Sequence, residues 1–278
     1  MTTARIASKR TQLGFTLIET MVALAVFVVI CAGIFKLLNS SQQRYRTESQ
    51  VLGSMQDARL GLDQIVRDAG DAGYPPYMNF AIAPGCVAAA PCATYVNSPL
   101  AWFPGYVALN PCLIGTAGGG TCGTPGDFDV IFEEKPDNSN NVQWIRYLLQ
   151  GTTLFRGASP KVTGGSANGL LNPAAKNMYP YIYNVVNNDT AANIATYRAA
   201  FPTMFPGGNP VPIFQFYCAS PGGAAAPVLC QNAGANNSPT QVTDVEITLI
   251  VNTPERDKQN GRLRLVELNG RGHVINPL

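Results

Sequence analysis

Apolar side chains dominate the chain from Phe15 to Leu38, an almost unbroken run of 24 residues interrupted by one carboxylate, Glu19. About 20 apolar residues suffice to cross a bilayer as a helix, so the run predicts a transmembrane segment over 15–38. Lys36 sits near its end, where the stem can snorkel to the interface. The helical rhythm then changes without stopping. Val51, Leu52, Met55, Ala58, Leu62, Ile65, Val66 and Ala69 recur at helical steps, with Arg44, Gln50, Gln56, Arg59 and Arg67 on other faces. An amphipathic continuation over 39–73 therefore follows, with one face packed on a globular body. The glycines and prolines of 70–76 stop it. A helix from Phe15 to Ala69 would span about 80 Å, and Gly53 and Gly61 are candidate bends.

Beyond Pro76 the period falls to two. Strands are predicted at Asp127–Glu134, Val142–Leu149, Thr153–Arg156, Val211–Cys218, Gln241–Asn252 and Arg262–Asn269. The short links between them favour antiparallel pairing. The expected fold is α+β: a long N-terminal helix packed on an antiparallel β-sheet head, residues 74–278, with long loops. Residues 77–126 and 157–210, rich in Gly, Ala, Pro and Asn, fit no regular element and are expected as loops.

Composition adds a compartment. Six of the seven cysteines (Cys86, Cys92, Cys112, Cys122, Cys218 and Cys230) lie downstream of the apolar run, in Gly/Ala/Pro-rich sequence. An even set behind an export signal reads as disulfides. The simplest pairing joins sequence neighbours, Cys86 with Cys92, Cys112 with Cys122 and Cys218 with Cys230. Cys31, inside the apolar run, reads as a small packed residue.

Charge is uninformative in the head and informative at the start. The leader, residues 1–14, carries Arg5, Lys9 and Arg10, and without it the chain is close to neutral. There is no electrostatic case for nucleic acid. By the positive-inside rule the leader stays cytoplasmic and the head faces the periplasm or exterior.

No catalytic constellation is visible, and no cofactor or metal is expected. His273 is the single histidine and lacks a nucleophile motif. The Gly-rich stretch 115–123 lacks the Lys-Ser/Thr ending of a phosphate loop. Asp127 with Asp129, or Asp137 with Asn138, Asn140 and Asn141, offers oxygens for Ca²⁺, but without EF-hand spacing turn chemistry is the better reading. Trp102, Phe103 and Tyr106 read as a packed loop.

Glu19 remains to be explained, because an ionisable residue in a membrane span is functional by default. A cleaved secretory signal or a plain anchor leaves it unaccounted for. The stretch LGFTLIETMVAL, residues 13–24, resembles the type IV pilin signature, in which Gly precedes Phe and Glu is the fifth mature residue. The resemblance implies that a prepilin peptidase cuts between Gly14 and Phe15 and methylates the Phe15 amine. It also implies that Glu19 pairs with the amine of a neighbouring subunit. The partners implied are other pilins through the helix, the peptidase and an inner-membrane assembly platform.

Arg67, Asp68, Ala72, Gly73 and Tyr74 at the helix end loosely match minor pilins of the PilW kind and the J-type minor pseudopilin of type II secretion. Tyr147, Leu154-Phe155-Arg156 and a terminal Asn-Pro extend the likeness weakly. A structural subunit, a minor pilin with a priming or tip role, is the function implied. A type II pseudopilin, or an adhesin or binding module displayed on the filament, is the alternative.

Overall fold

The structure is a computed structural model that describes residues 16–74, 96, 98–101, 112–115, 122–135, 142–162, 171–175, 177–222, 226–253 and 264–274. The chain divides into two units, Met1–Ser49 and Gln50–Leu278. One helix, α1 (Leu17–Asp71), contributes to both. It passes Gly53 and Gly61 as helix and ends two residues after the expected Ala69. The closing turn places Gly73 at a positive φ of 91°, a conformation open to glycine because it has no Cβ.

In the second unit the helix buries Ala58, Leu62, Ile65 and Ala69, the stripe expected from the sequence. Leu52, grouped with that stripe above, is instead exposed. It lies about 100° around the helix from the half-buried Val51, outside the face that packs on the head.

The single sheet anticipated from the strand pattern is two sheets. The first is an antiparallel meander of β1 (Asp129–Glu134), β2 (Gln143–Gln150), β3 (Thr153–Pro160) and β4 (Tyr179–Ile182), paired in that order. The second comprises β5 (Phe214–Cys218), β6 (Val228–Leu229), β7 (Val242–Asn252) and β8 (Leu265–His273), in the order β6-β5-β7-β8. The Gln150–Thr153 pair closes the β2–β3 turn, where Gly151 takes a φ of 59°.

The described residues within 157–210 carry more regular structure than their composition suggests. They hold the end of β3, all of β4 and a ten-residue helix, α2 (Ala191–Ala200). Thr190 caps α2 by accepting from the Asn193 N–H, and Ile194 and Tyr197 form its buried face. Two buried residues in an Ala-rich decamer give too faint a period to read. Asn187 ties this region to the second sheet: its amide donates to the carbonyls of Val211 and Thr248 and accepts from the Ile250 N–H at 2.8 Å.

Both sheets share one core with the C-terminal part of α1, including Phe132, Ile145, Tyr147, Phe214, Ile247 and Leu249. On β8, Gly270 and Gly272 let the helix approach. A Cβ on Gly272 would lie 2.5 Å from Ala69 Cβ, and one on Gly270 would lie 2.7 Å from Val66 Cγ2. Gly61 serves the same purpose against Ile182 on β4, so it is a packing glycine and not a bend. Cys112–Cys122 and Cys218–Cys230 are disulfides, with all four residues buried. Cys86 and Cys92 lie outside the described residues.

Candidate functional site

The start of α1 is set by its own sequence. Thr16 precedes the first helical residue, and Glu19 sits three positions on, the Thr-x-x-Glu spacing of a capping box. Both halves are present. The Thr16 N–H and hydroxyl donate to Glu19 Oε2 at 3.1 and 3.0 Å, and the Glu19 N–H donates to Thr16 Oγ1 at 3.4 Å. Among the described residues, Glu19 Oε1 accepts no hydrogen bond. The box satisfies helix N–H groups that would otherwise lack partners, and it places negative charge at the positive end of the helix dipole. Gly14 and Phe15, the expected processing site, lie outside the described residues.

The next turns expose mostly hydrocarbon. Leu17 is 78% exposed and Phe35 71%, with Ile18, Phe27, Val29 and Leu37 similarly bare. A contiguous apolar surface of this size marks a membrane or protein contact. The helix is long and apolar enough to cross a membrane, and its most apolar window buries nothing within the chain. Cys31, half-buried, is the free cysteine here.

The other end of α1 carries a polar latch. Asp68 interrupts the apolar stripe and is almost fully buried. Its Oδ2 accepts from the Tyr147 hydroxyl on β2 at 2.5 Å and from Arg156 Nη2 on β3 at 3.0 Å, and its Oδ1 accepts from the Gln64 amide at 2.5 Å. Arg156 Nε also donates to the Tyr147 oxygen at 2.8 Å. Burial is the main force raising the Tyr147 pKa, with the Asp68 charge adding to it. Burial works against the Arg156 charge, but Tyr147 and Asp68 outweigh it and hold the guanidinium more firmly charged.

Beside the latch, Glu134 on β1 is buried, and its Oε2 has no hydrogen-bond partner among the described residues. Desolvation, then the like charges of Asp68 and Asp71, push its pKa up to about 8 against the pull of Arg156.

The latch is the contact that residue-by-residue reading of the sequence does not reveal. Asp68, Tyr147 and Arg156 all stand in the family likeness, but the glycines at the helix end account for its stop without any role for Asp68. An acid on an otherwise apolar stripe was the available signal. A buried charge demands a partner.

The remaining candidates do ordinary structural work. Asp129 accepts from Arg146 Nε at 2.9 Å and Nη2 at 2.7 Å, so its oxygens are committed to an ion pair. His273 is largely exposed, with Nδ1 3.1 Å from Asp244 Oδ1. No group of three or more His, Cys, Asp or Glu side chains among the described residues could hold a metal. Asp137, Asn138, Asn140 and Asn141, the aromatics Trp102, Phe103 and Tyr106, and the terminal Asn276-Pro277 lie outside the described residues.

Against known families, residues 9–35 match the model described as the prokaryotic N-terminal methylation motif. Comparison with curated proteins and with solved structures returns no match. The matched motif indicates a precursor of the type IV pilin and pseudopilin class, a class of structural subunits processed by prepilin peptidase. The apolar helix and the motif fit a membrane-anchored protein, and the long helix with two antiparallel sheets has pilin-like architecture.

Proposed function

We propose that the chain is a minor pilin of the PilW kind, acting in priming or at the tip of a type IV pilus. Residues 1–14 are a leader, cut between Gly14 and Phe15, and the new Phe15 amine is methylated. The helix of 15–38 then resides in the inner membrane, with the disulfide-bearing head in the periplasm, until an assembly platform moves the subunit into the filament. One observation carries the reading: the methylation motif coincides with an apolar helix, exposed on every face, that carries Glu19 near its start.

Glu19 Oε2 is engaged by Thr16, and Oε1 is left to accept from a neighbouring subunit's amine. Pairing would offset the cost of a carboxylate in lipid, and losing one partner of such a pair costs about 3–5 kcal/mol. The loop-rich head favours a priming or tip position, because bulk would crowd a repeated shaft. A minor pseudopilin of type II secretion is the second reading, since the motif serves both classes.

N-terminal mass analysis of the mature chain tests the proposal. A methylated Phe15 is the expected result, and a chain beginning at Met1 or beyond Leu38 would overturn it. Finding the subunit repeated along whole filaments would overturn the tip assignment alone.

A further inference from the structure

A cleft of about 270 Å³ lies between α1 and the chain leaving β4. Ser54, Asp57 and Gly61 line it from the helix, at spacings that place them on one face. Tyr181, Tyr183 and Asn184 line it from the other side. Asn184 takes a left-handed φ of 59°, which Asn tolerates, as the chain turns toward β7.

The polar groups here differ from the ion-paired acids of the helix end and the sheets. Asp68, Asp129, Glu133 and Asp244 are all committed to ion pairs. Among the described residues, the Asp57 carboxylate, the Ser54 hydroxyl, the Asn184 amide and the Tyr183 hydroxyl engage no side-chain partner. Tyr183 is 60% exposed, a ring left in water beside uncommitted acceptors and donors.

From this geometry we infer a saccharide subsite. Flat aromatic rings match the C–H faces of a sugar, and carboxylate, amide and hydroxyl groups at the rim match its hydroxyls. A concave site with a few polar groups is the general form of a ligand pocket, and this small volume suits a single sugar ring. The free Asp57 charge selects against acidic sugars, so the ligand is a neutral or N-acetylated saccharide. Such a unit is supplied either by cell-wall glycan strands or by a surface polysaccharide.

The test uses the full chain in a detergent without a sugar head group. It is applied to immobilised N-acetylhexosamine oligomers, standing for the wall, to neutral hexose polymers, standing for a surface polysaccharide, and to uronic acid polymers. Retention on either neutral class and not on the acidic one is expected. Tyr183→Ala and Asp57→Ala should each weaken retention by roughly tenfold, the scale of one lost ring contact or charged hydrogen bond. Tyr179→Ala, exposed at the start of β4 and outside the cleft, should leave it unchanged. Asp57 is exposed on a helix, so its variant is readable even if the Tyr183 variant folds poorly. Equal retention on acidic sugars, no neutral retention, or indifference to Asp57→Ala overturns the inference. So does protection of Tyr183 that grows with chain concentration and ignores sugar, because a second copy would then be the occupant.

Discussion

Tyr147 donates its hydroxyl to Asp68 across 79 positions of sequence, joining the middle of the first sheet to the last turns of α1. The connection is made by packing on Leu62, Ile65 and Ala69 and by this single buried carboxylate with its two partners.

Tyr147→Phe should therefore loosen the head without unfolding it. A hydrogen bond to a charged group contributes about 1.5–3 kcal/mol, and Arg156 still holds Asp68 in the variant. Asp68→Ala should cost more, because it leaves the Tyr147 hydroxyl buried without an acceptor and a half-buried guanidinium without its counter-charge. Denaturant titration of the full chain in detergent micelles measures both. The Tyr147→Phe/Asp68→Ala double variant should show clear non-additivity, and additive losses would mean that the pair is not coupled.

Close approach of the helix to β8 makes a second expectation. Gly272→Val places its Cβ against Ala69 Cβ and the Val66 carbonyl, backbone that cannot yield locally. Overpacking of this kind costs about 1–3 kcal/mol. Gly151→Ala meets open space, and its penalty should come from the positive φ alone. Thermal melts of the two variants side by side should rank Gly272→Val as the more damaged.

How far the sequence anticipates these relationships depends on which residues carry the signal. The 15–38 apolar run and the Ala58–Ala69 stripe are long and periodic, so the helix is legible to within two residues at its C-terminus. β4, within a stretch expected as loop, and the two-residue β6 escape the pattern, but the other six strands among the described residues were legible from apolar runs such as Val130–Phe132 and Val245–Ile247. The division into two sheets was not. It depends on β4 pairing with β3 while Val185 bridges to Val251, a choice made by tertiary packing and absent from local pattern. Short α2 escaped notice for want of apolar residues. At the N-terminal site, Glu19 was legible as an anomaly of charge, whereas its bond to Thr16 required coordinates.

The position of Glu134 makes stability depend on pH. Its folded pKa lies near 8, above the ordinary carboxylate value of 4.5, so the folded state holds the proton more tightly than the unfolded chain. Its contribution is full below pH 4.5, declines as pH rises and is gone above about 8. Burial is the main cause, reinforced by the charges of Asp68 and Asp71 on α1 and opposed by Arg156 on β3. Glu134→Gln removes the titration. The variant should be more stable than the parent at pH 8.5 and lose that advantage toward pH 5. A parallel offset at both pH values would show that Glu134 does not titrate in this window.

Each buried disulfide closes a short loop, with Cys218 and Cys230 separated by 12 positions. Closing a loop of this length is worth about 3 kcal/mol in the chain-entropy model. Cys218→Ser/Cys230→Ser should lower the denaturation midpoint accordingly. It should also loosen the β5–β6 pair, because Cys218 itself pairs with Val228. Hydrogen exchange at Tyr217 and Leu229 would report that loosening directly.

Glu19 carries two separable duties, and one substitution divides them. The capping box needs an acceptor oxygen at position 19, which Gln supplies as well as Glu. Pairing with a neighbour's amine needs the charge, which Gln lacks. Glu19→Ala removes both. If the cap is the whole role, Glu19→Gln behaves as the parent and only Glu19→Ala impairs incorporation into filaments. If the charge is the role, both variants are still processed at Gly14 but neither is incorporated. The committed Oε2 and the unengaged Oε1 favour the second outcome, because a single carboxylate can close the cap and still offer an oxygen to an adjacent subunit. Mass analysis of the processed chains, with counts of the subunit in sheared filaments, separates the two cases.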